Sequence, residues 1–217
     1  MKRTFLFDFD GTLVDSMPSF ASVMMRILDE YKIEYGNDII KIITPLGYHG
    51  TAEHFRKLGI NETVEDLVKK MKGYAYEEYA YKISAKDGVA DTLSKLKARG
   101  CSLNVLTAST HTLLDPCLIR LGLWDLFDNV WSCDDFATTK SNPEIYKKAA
   151  QRMGCDTSDA IFVDDNVNAV KTARAAGMIA YGIYDPSSED YKDEMRKEAH
   201  KYIENFRELY ITDNNLD

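Results

Sequence analysis

Phe5-Leu6-Phe7-Asp8-Phe9-Asp10-Gly11-Thr12-Leu13-Val14-Asp15 is the stretch from which the fold is read. Its apolar start reads as a strand buried on both faces, as in a parallel sheet, and it stops at two carboxylates, a glycine and a threonine. Ligands of open α/β sheets bind outside the carboxyl ends of the strands, so a catalytic group is expected where this first strand stops. Asp8 and Asp10 are two residues apart. On an extended chain they point to the same side, and their charges repel unless a cation lies between them. Mg²⁺, a hard cation bound through carboxylates, waters and substrate phosphate, suits that donor set. Gly11 permits a sharp turn and a close backbone approach to a ligand, while Thr12 offers a hydroxyl that can lock the turn. The structural alternative is a strand ending in a solvated acidic turn, and the Gly-Thr-Leu-Val-Asp that follows weighs against it.

The bulk properties bound the remaining choices. A chain of 217 residues with 45% apolar and 29% charged residues fits one ordinary domain, or a core with a smaller insert. The net charge of -8 argues against nucleic-acid or anionic-membrane partners, which select a basic face, so an anionic substrate needs a local positive site. The four cysteines, Cys101, Cys117, Cys133 and Cys155, have no paired short spacing and are expected as reduced thiols in a cytoplasmic protein. The Met-Lys-Arg start is followed by too few apolar residues for a signal or spanning segment.

Further along, Phe20, Val23, Met24, Ile27, Leu28 and Tyr31 recur at helical spacing, with Pro18 suited to the first turn. Residues 44–51, punctuated by Pro45, Gly47 and Gly50, are predicted to form a loop. Helical patterning resumes over 51–58 and 62–82. With no strand pattern between Leu13 and Cys101, an all-helical insertion is predicted over 15–86, leaving 1–14 and 87–217 as the core. In the core, strands are predicted near 103–107, 129–132, 160–164, 179–184 and 201–203, alternating with helices that end near Gly100, Gly122, Gly154 and Gly177. That alternation implies right-handed crossovers and a mostly parallel sheet. Thr212 to Asp217 are predicted to fray.

Asp8-Phe9-Asp10-Gly11-Thr12-Leu13-Val14-Asp15-Ser16 resembles the first motif of the haloacid dehalogenase superfamily, in its phosphoglycolate phosphatase-like branch. Three more motifs of that family have counterparts downstream, in order. The resemblance implies a Rossmann-like α/β core with a helical cap inserted after the first motif, Mg²⁺ as cofactor, and hydrolysis through an aspartyl-phosphate. Asp8 is then the nucleophile. Asp10 is the general acid and base, and its backbone carbonyl is a metal ligand. Thr107, at a strand end, matches the second motif and would bind the phosphoryl group, joined by the amides of Ala108 and Ser109 at the opening of the next helix. Plain capping by Thr107 or Ser109 is the alternative there. Lys140, in Thr-Lys-Ser-Asn-Pro-Glu, resembles the third motif, with Ser141 in place of its first proline. Val163-Asp164-Asp165 would supply side-chain metal ligands, Asp165 directly or through water, while Asn168 stands where the family often carries a carboxylate.

The presence of Asp10 separates this sequence from dehalogenases, which lack an acid there. The expected substrate is a small phosphomonoester, phosphoglycolate or a sugar phosphate, selected by cap residues such as Tyr48, His49 and Thr51, with cap closure excluding water. A phosphomutase resembling β-phosphoglucomutase is the close alternative. A non-enzymatic phospho-acceptor module is a remote one, since such receivers are shorter and lack the insert. No nucleic-acid or membrane partner is expected, and the chain is expected to be a monomer or homodimer.

Overall fold

The protein is described by a computed structural model, which covers residues 3–36 and 38–213. Met1 and Lys2 of the opening tripeptide, and residues 214–217 of the predicted frayed end, lie outside the described residues. Thr212 and Asp213 belong to the last helix.

In chain order the elements are β1 (Thr4–Phe7), α1 (Met17–Glu30), α2 (Ile39–Ile43), α3 (Gly47–Lys57), α4 (Val64–Tyr81), α5 (Val89–Ala98), β2 (Ser102–Thr107) and α6 (His111–Arg120). They continue with β3 (Asn129–Ser132), α7 (Glu144–Met153), β4 (Ala160–Asp164), α8 (Val167–Ala175), β5 (Ile179–Ile183), α9 (Lys192–Glu198), β6 (Lys201–Ile203) and α10 (Glu208–Asp213). Two compact units result. Residues 3–15 and 84–213 form one, and residues 16–36 and 38–83 form the other. Asp15 and residues 84–86, placed with the insert by the sequence reading, cluster with the sheet unit.

The sheet has six strands in the order β3-β2-β1-β4-β5-β6, every pair parallel. Each β1 residue is buried. Phe5 and Phe7, two apart and on one face, stack at 5.6 Å, and Phe7 also meets Phe206 at 5.6 Å. Leu6 points the other way, into a core with Leu106, Phe162 and Tyr146. Burial on both faces is why β1 reads as an unbroken apolar run. From β1 the chain builds outward through β2 to β3, then returns to lay β4 on the opposite side of β1. Such a reversal opens a crevice at the carboxyl ends of the two central strands.

The second unit is all helical. Val23, Met24, Ile27 and Leu28 form the buried stripe of α1, and Leu67, Val68 and Met71 that of α4, which packs against both α1 and α3. Thr63 caps α4 by accepting the Asp66 amide at 3.0 Å. The loop predicted over 44–51 is not found. Thr44–Leu46 form a 3₁₀ turn and Gly47 already opens α3. Proline is tolerated in a first turn, and burial of Thr51, Ala52 and Phe55 outweighs the ~1 kcal/mol that glycine costs inside a helix. No helix among the described residues is long and apolar enough to cross a membrane.

Candidate active site

The site follows from the strand order. Strand β1 lies between β2 and β4, so Asp8, Thr107 and Asp164 leave three adjacent strand ends, and neighbouring strands lie only ~4.8 Å apart. Register fixes the alignment, pairing Phe7 with both Val105 and Val163, and the Asp8 amide extends the ladder by donating to the Val163 carbonyl at 2.9 Å.

Asp8, Asp164 and Asp165 are buried, and each presents a carboxylate oxygen within 4.8 Å of the others. Lys140 reaches into this group, its Nζ 2.6 Å from Asp8 Oδ1 and 2.8 Å from Asp164 Oδ2. The contact to Asp164 is an aligned hydrogen bond. That to Asp8 is a close ion pair whose direction falls outside hydrogen-bond geometry, so Asp8 Oδ1 is buried without an aligned donor. Burial above all, then the charge of Asp164, raises the Asp8 pKa well above the ordinary carboxylate value, although Lys140 opposes this. Burial, followed by Asp164, pushes Asp165 up to about 7. For Lys140, burial acts to lower the pKa, and the carboxylates of Asp164 and Asp8 overcome it, so the ammonium titrates well above its usual range.

Three carboxylates against one ammonium leave two negative charges uncompensated when all are ionised. A buried site of that sign, with an oxygen-only donor set and an oxygen lacking an aligned donor, fits a hard divalent cation. Asp8, Asp164 and Asp165 could hold it.

The loop after β1 is shaped by its glycine. Gly11 has φ +74°, and a Cβ there would stand 2.6 Å from Asp165 Oδ2, so only glycine fits against that carboxylate. Thr12 donates to Asp165 Oδ1 at 3.2 Å. Asp10 lies outside the carboxylate trio, and its Oδ2 accepts the Ser109 hydroxyl at 2.5 Å. Thr107 is buried, and its Oγ1 accepts the Ser109 amide at 3.0 Å. Ala108 and Ser109 do not open a helix, because α6 starts at His111 with Thr110 as its N-cap. The Ser109 amide is therefore satisfied by Thr107 and its hydroxyl by Asp10, while the Thr107 hydroxyl proton stays available to donate.

Asn166, not singled out in the sequence, caps α8 by accepting the amides of Asn168 and Ala169, and its own amide donates to Asp164 Oδ1 at 2.7 Å. Asn168 is exposed. Tyr146 was also missed. Fully buried and edge-on to Phe162, it donates its hydroxyl to the Lys140 carbonyl at 3.0 Å and stands 3.2 Å from the Ala169 carbonyl, tying the lysine loop to α8. Its place between two elements has no local signal. In the helical unit, Thr51 is fully buried and donates to the Ile43 carbonyl at 3.3 Å, so it serves packing. His49 is exposed, and the half-buried Tyr48 packs on Phe20.

Comparison with known proteins agrees with this geometry. The pyrophosphatase PpaX of Bacillus velezensis is 31% identical over 184 residues, covering 82% of this chain and 81% of its own. A solved structure from Thermotoga maritima, of a protein proposed to be a β-phosphoglucomutase, superposes with a TM-score of 0.86 at 21% identity, each chain covered in full. YfnB of Bacillus subtilis, a protein proposed to be a HAD-hydrolase and solved bound to magnesium, gives a TM-score of 0.82 at 18% identity, over 98% of this chain and 99% of its own. The profile of the haloacid dehalogenase-like hydrolases matches residues 5–183, and with strand order, carboxylate trio and relatives in agreement, the chain belongs to that family.

Proposed function

We propose that this chain is a Mg²⁺-dependent phosphatase that hydrolyses a small phosphomonoester through an aspartyl-phosphate. The observation carrying this reading is the buried trio of Asp8, Asp164 and Asp165 with Lys140 between two of them. When bound, the cation would supply charge neutralisation on the phosphoryl oxygens.

The chain's own groups divide the remaining work. Asp8 attacks phosphorus, so that an Asp8 oxygen–phosphorus bond forms as the bond to the leaving oxygen breaks. Asp10, oriented by Ser109, gives its proton to the leaving oxygen. It then takes a proton from water as that water attacks the phosphoenzyme, returning Asp8 and releasing inorganic phosphate. Lys140 keeps the Asp8 charge from repelling the incoming phosphate, and the Thr107 hydroxyl donates to a phosphoryl oxygen. Choice of ester is assigned to the helical unit, with Tyr48 and His49 as its candidates and Thr51 withdrawn.

A phosphate-release screen tests this, with phosphoglycolate, sugar phosphates and, because of the Bacillus velezensis relative, inorganic pyrophosphate, each with Mg²⁺ and with chelator. Turnover is expected only with Mg²⁺, and Asp8→Asn is expected to lower it about 10⁴-fold or more. Full activity of Asp8→Asn would overturn the nucleophile assignment. A dependence on sugar bisphosphate without net phosphate release would point to a phosphomutase.

A further inference from the structure

Lys86 lies outside every motif discussed so far, yet all three of its ammonium donors are engaged. Its Nζ donates to the carbonyl of Gly11 at 2.7 Å, to the carbonyl of Tyr184 at 2.8 Å and to Asp185 Oδ2 at 2.9 Å. Its side chain is 18% exposed and that of Asp185 only 1%, so this is a nearly dry ion pair. The Lys86 amide also donates to the Leu13 carbonyl at 3.0 Å, so main chain and side chain grip one loop. Burying a lysine to hold two carbonyls costs desolvation that a surface solution would avoid. Its location suggests what is gained.

We infer that Lys86, with Asp185, is a positioning residue that holds Gly11 in place and through it sets the Asp165 carboxylate at the cation site. Gly11 packs directly on Asp165, with room for no Cβ. The neighbouring Thr12 donates to Asp165 Oδ1. On the other side, Asp185 Oδ1 accepts the amide of Ser187 at 2.9 Å and its hydroxyl at 2.6 Å. The next residue, Ser188, places its hydroxyl 3.4 Å from Asp165 Oδ2. Asp165 thus sits between two short segments, 11–12 and 185–188, and Lys86 ties one to the other. The inference rests on the cation reading above and adds to it a residue that touches neither substrate nor cation.

The single variant Lys86→Met leaves Asp185 buried and unpaired, which can unfold the protein outright, so Lys86→Met/Asp185→Asn is made beside it to remove both charges. Two readouts are compared with wild type. One is Mn²⁺ affinity, followed by the electron paramagnetic resonance of free Mn²⁺. The other is hydrogen exchange of the Gly11 amide, which donates to the Val14 carbonyl at 3.0 Å, measured by NMR without metal. In the folded double variant, Mn²⁺ affinity is expected to fall about 10-fold or more, the usual effect of removing a group that supports a metal ligand. Gly11 exchange should quicken by about the same factor. A folded double variant with wild-type Mn²⁺ affinity and wild-type Gly11 exchange would show that the pair serves folding alone, and overturn the inference. Failure of the wild-type protein to bind Mn²⁺ would instead overturn the cation reading, and this inference with it.

Discussion

Replacing Lys140 by methionine is the sharpest probe of the charge arrangement, because methionine keeps an apolar chain of similar length and removes only the ammonium. Lys140 is 15% exposed and lies 2.6 and 2.8 Å from two carboxylates that are almost wholly buried. Deleting one partner of such a pair costs about 3–5 kcal/mol, mostly as the penalty of leaving charge buried and uncompensated. For a chain of this size each kcal/mol lowers the melting temperature by about 2–4 °C, so at pH 7.5 with chelator a fall of about 6–12 °C is expected from the lower figure. On the proposed reading, a divalent cation compensates the same carboxylates. Adding Mg²⁺ at about 100 times its Kd should therefore return about 2.7 kcal/mol, and the variant should depend on Mg²⁺ for stability more steeply than wild type does. Phosphate release should still fall about 10²–10³-fold if, as proposed, the missing donor faces charge that develops in the transition state. The assay is a thermal melt with and without Mg²⁺, alongside phosphate release. An unchanged melting temperature in chelator would refute the reasoning, because it would mean that the buried carboxylates do not need the lysine.

Three other perturbations follow from the same geometry. Asp165 has a folded pKa of about 7 against an ordinary 3.8, so in the metal-free protein its contribution to stability should be fully present below about pH 4 and up to about 4 kcal/mol should be lost as the pH rises through 7; Asp165→Asn should flatten that part of the slope in urea titrations, and parallel profiles would refute the assignment. Gly11→Ala forces a side chain into φ +74° and against Asp165, and should cost about 2 kcal/mol or more in chemical denaturation together with weaker Mn²⁺ binding. Tyr146→Phe removes a buried donor from the Lys140 carbonyl and should cost about 1–3 kcal/mol by denaturation, with kcat falling more than KM rises; wild-type kcat would show that the lysine loop needs no such tie.

Much of the fold was legible because parallel strands buried on both faces are written as contiguous apolar runs. Residues 103–107 and 160–164 stand in the sheet within a residue of where their runs place them, while the half-buried edge strands 129–132 and 201–203 were placed by β-leaning residues and their alternation with helices. The convergence of Asp8 and Asp164 was legible for a related reason: each stands at the end of such a run, and strand order does the rest, whereas Lys140, in a polar loop after β3, was legible only through its resemblance to the family's third motif. The first turn of α3 was not legible, although its body over 51–57 was, since Pro45, Gly47 and Gly50 signal a turn locally, whereas the burial that overrides them comes from Phe55 and its neighbours in the folded unit. The partners of Lys86, Ser109 and Tyr146 were invisible for another reason. Those contacts join residues 75–99 positions apart for Lys86, 99 for Ser109 and 23 for Tyr146 with Ala169, and no periodicity or motif reports them.

The central place of β1 also governs how the chain reaches its folded state. This strand is synthesised before either neighbour, and its flanks stay open until Ser102–Thr107 and then Ala160–Asp164 have been made. During translation, Phe5 to Phe7 are therefore an unsatisfied edge, apolar on both sides, of the kind that invites pairing with another nascent chain. Joining such distant segments is entropically slow. The strand that delivers Asp8 is thus made first and sheltered last, and recovery of soluble protein should be most sensitive to how quickly the later strands arrive beside it.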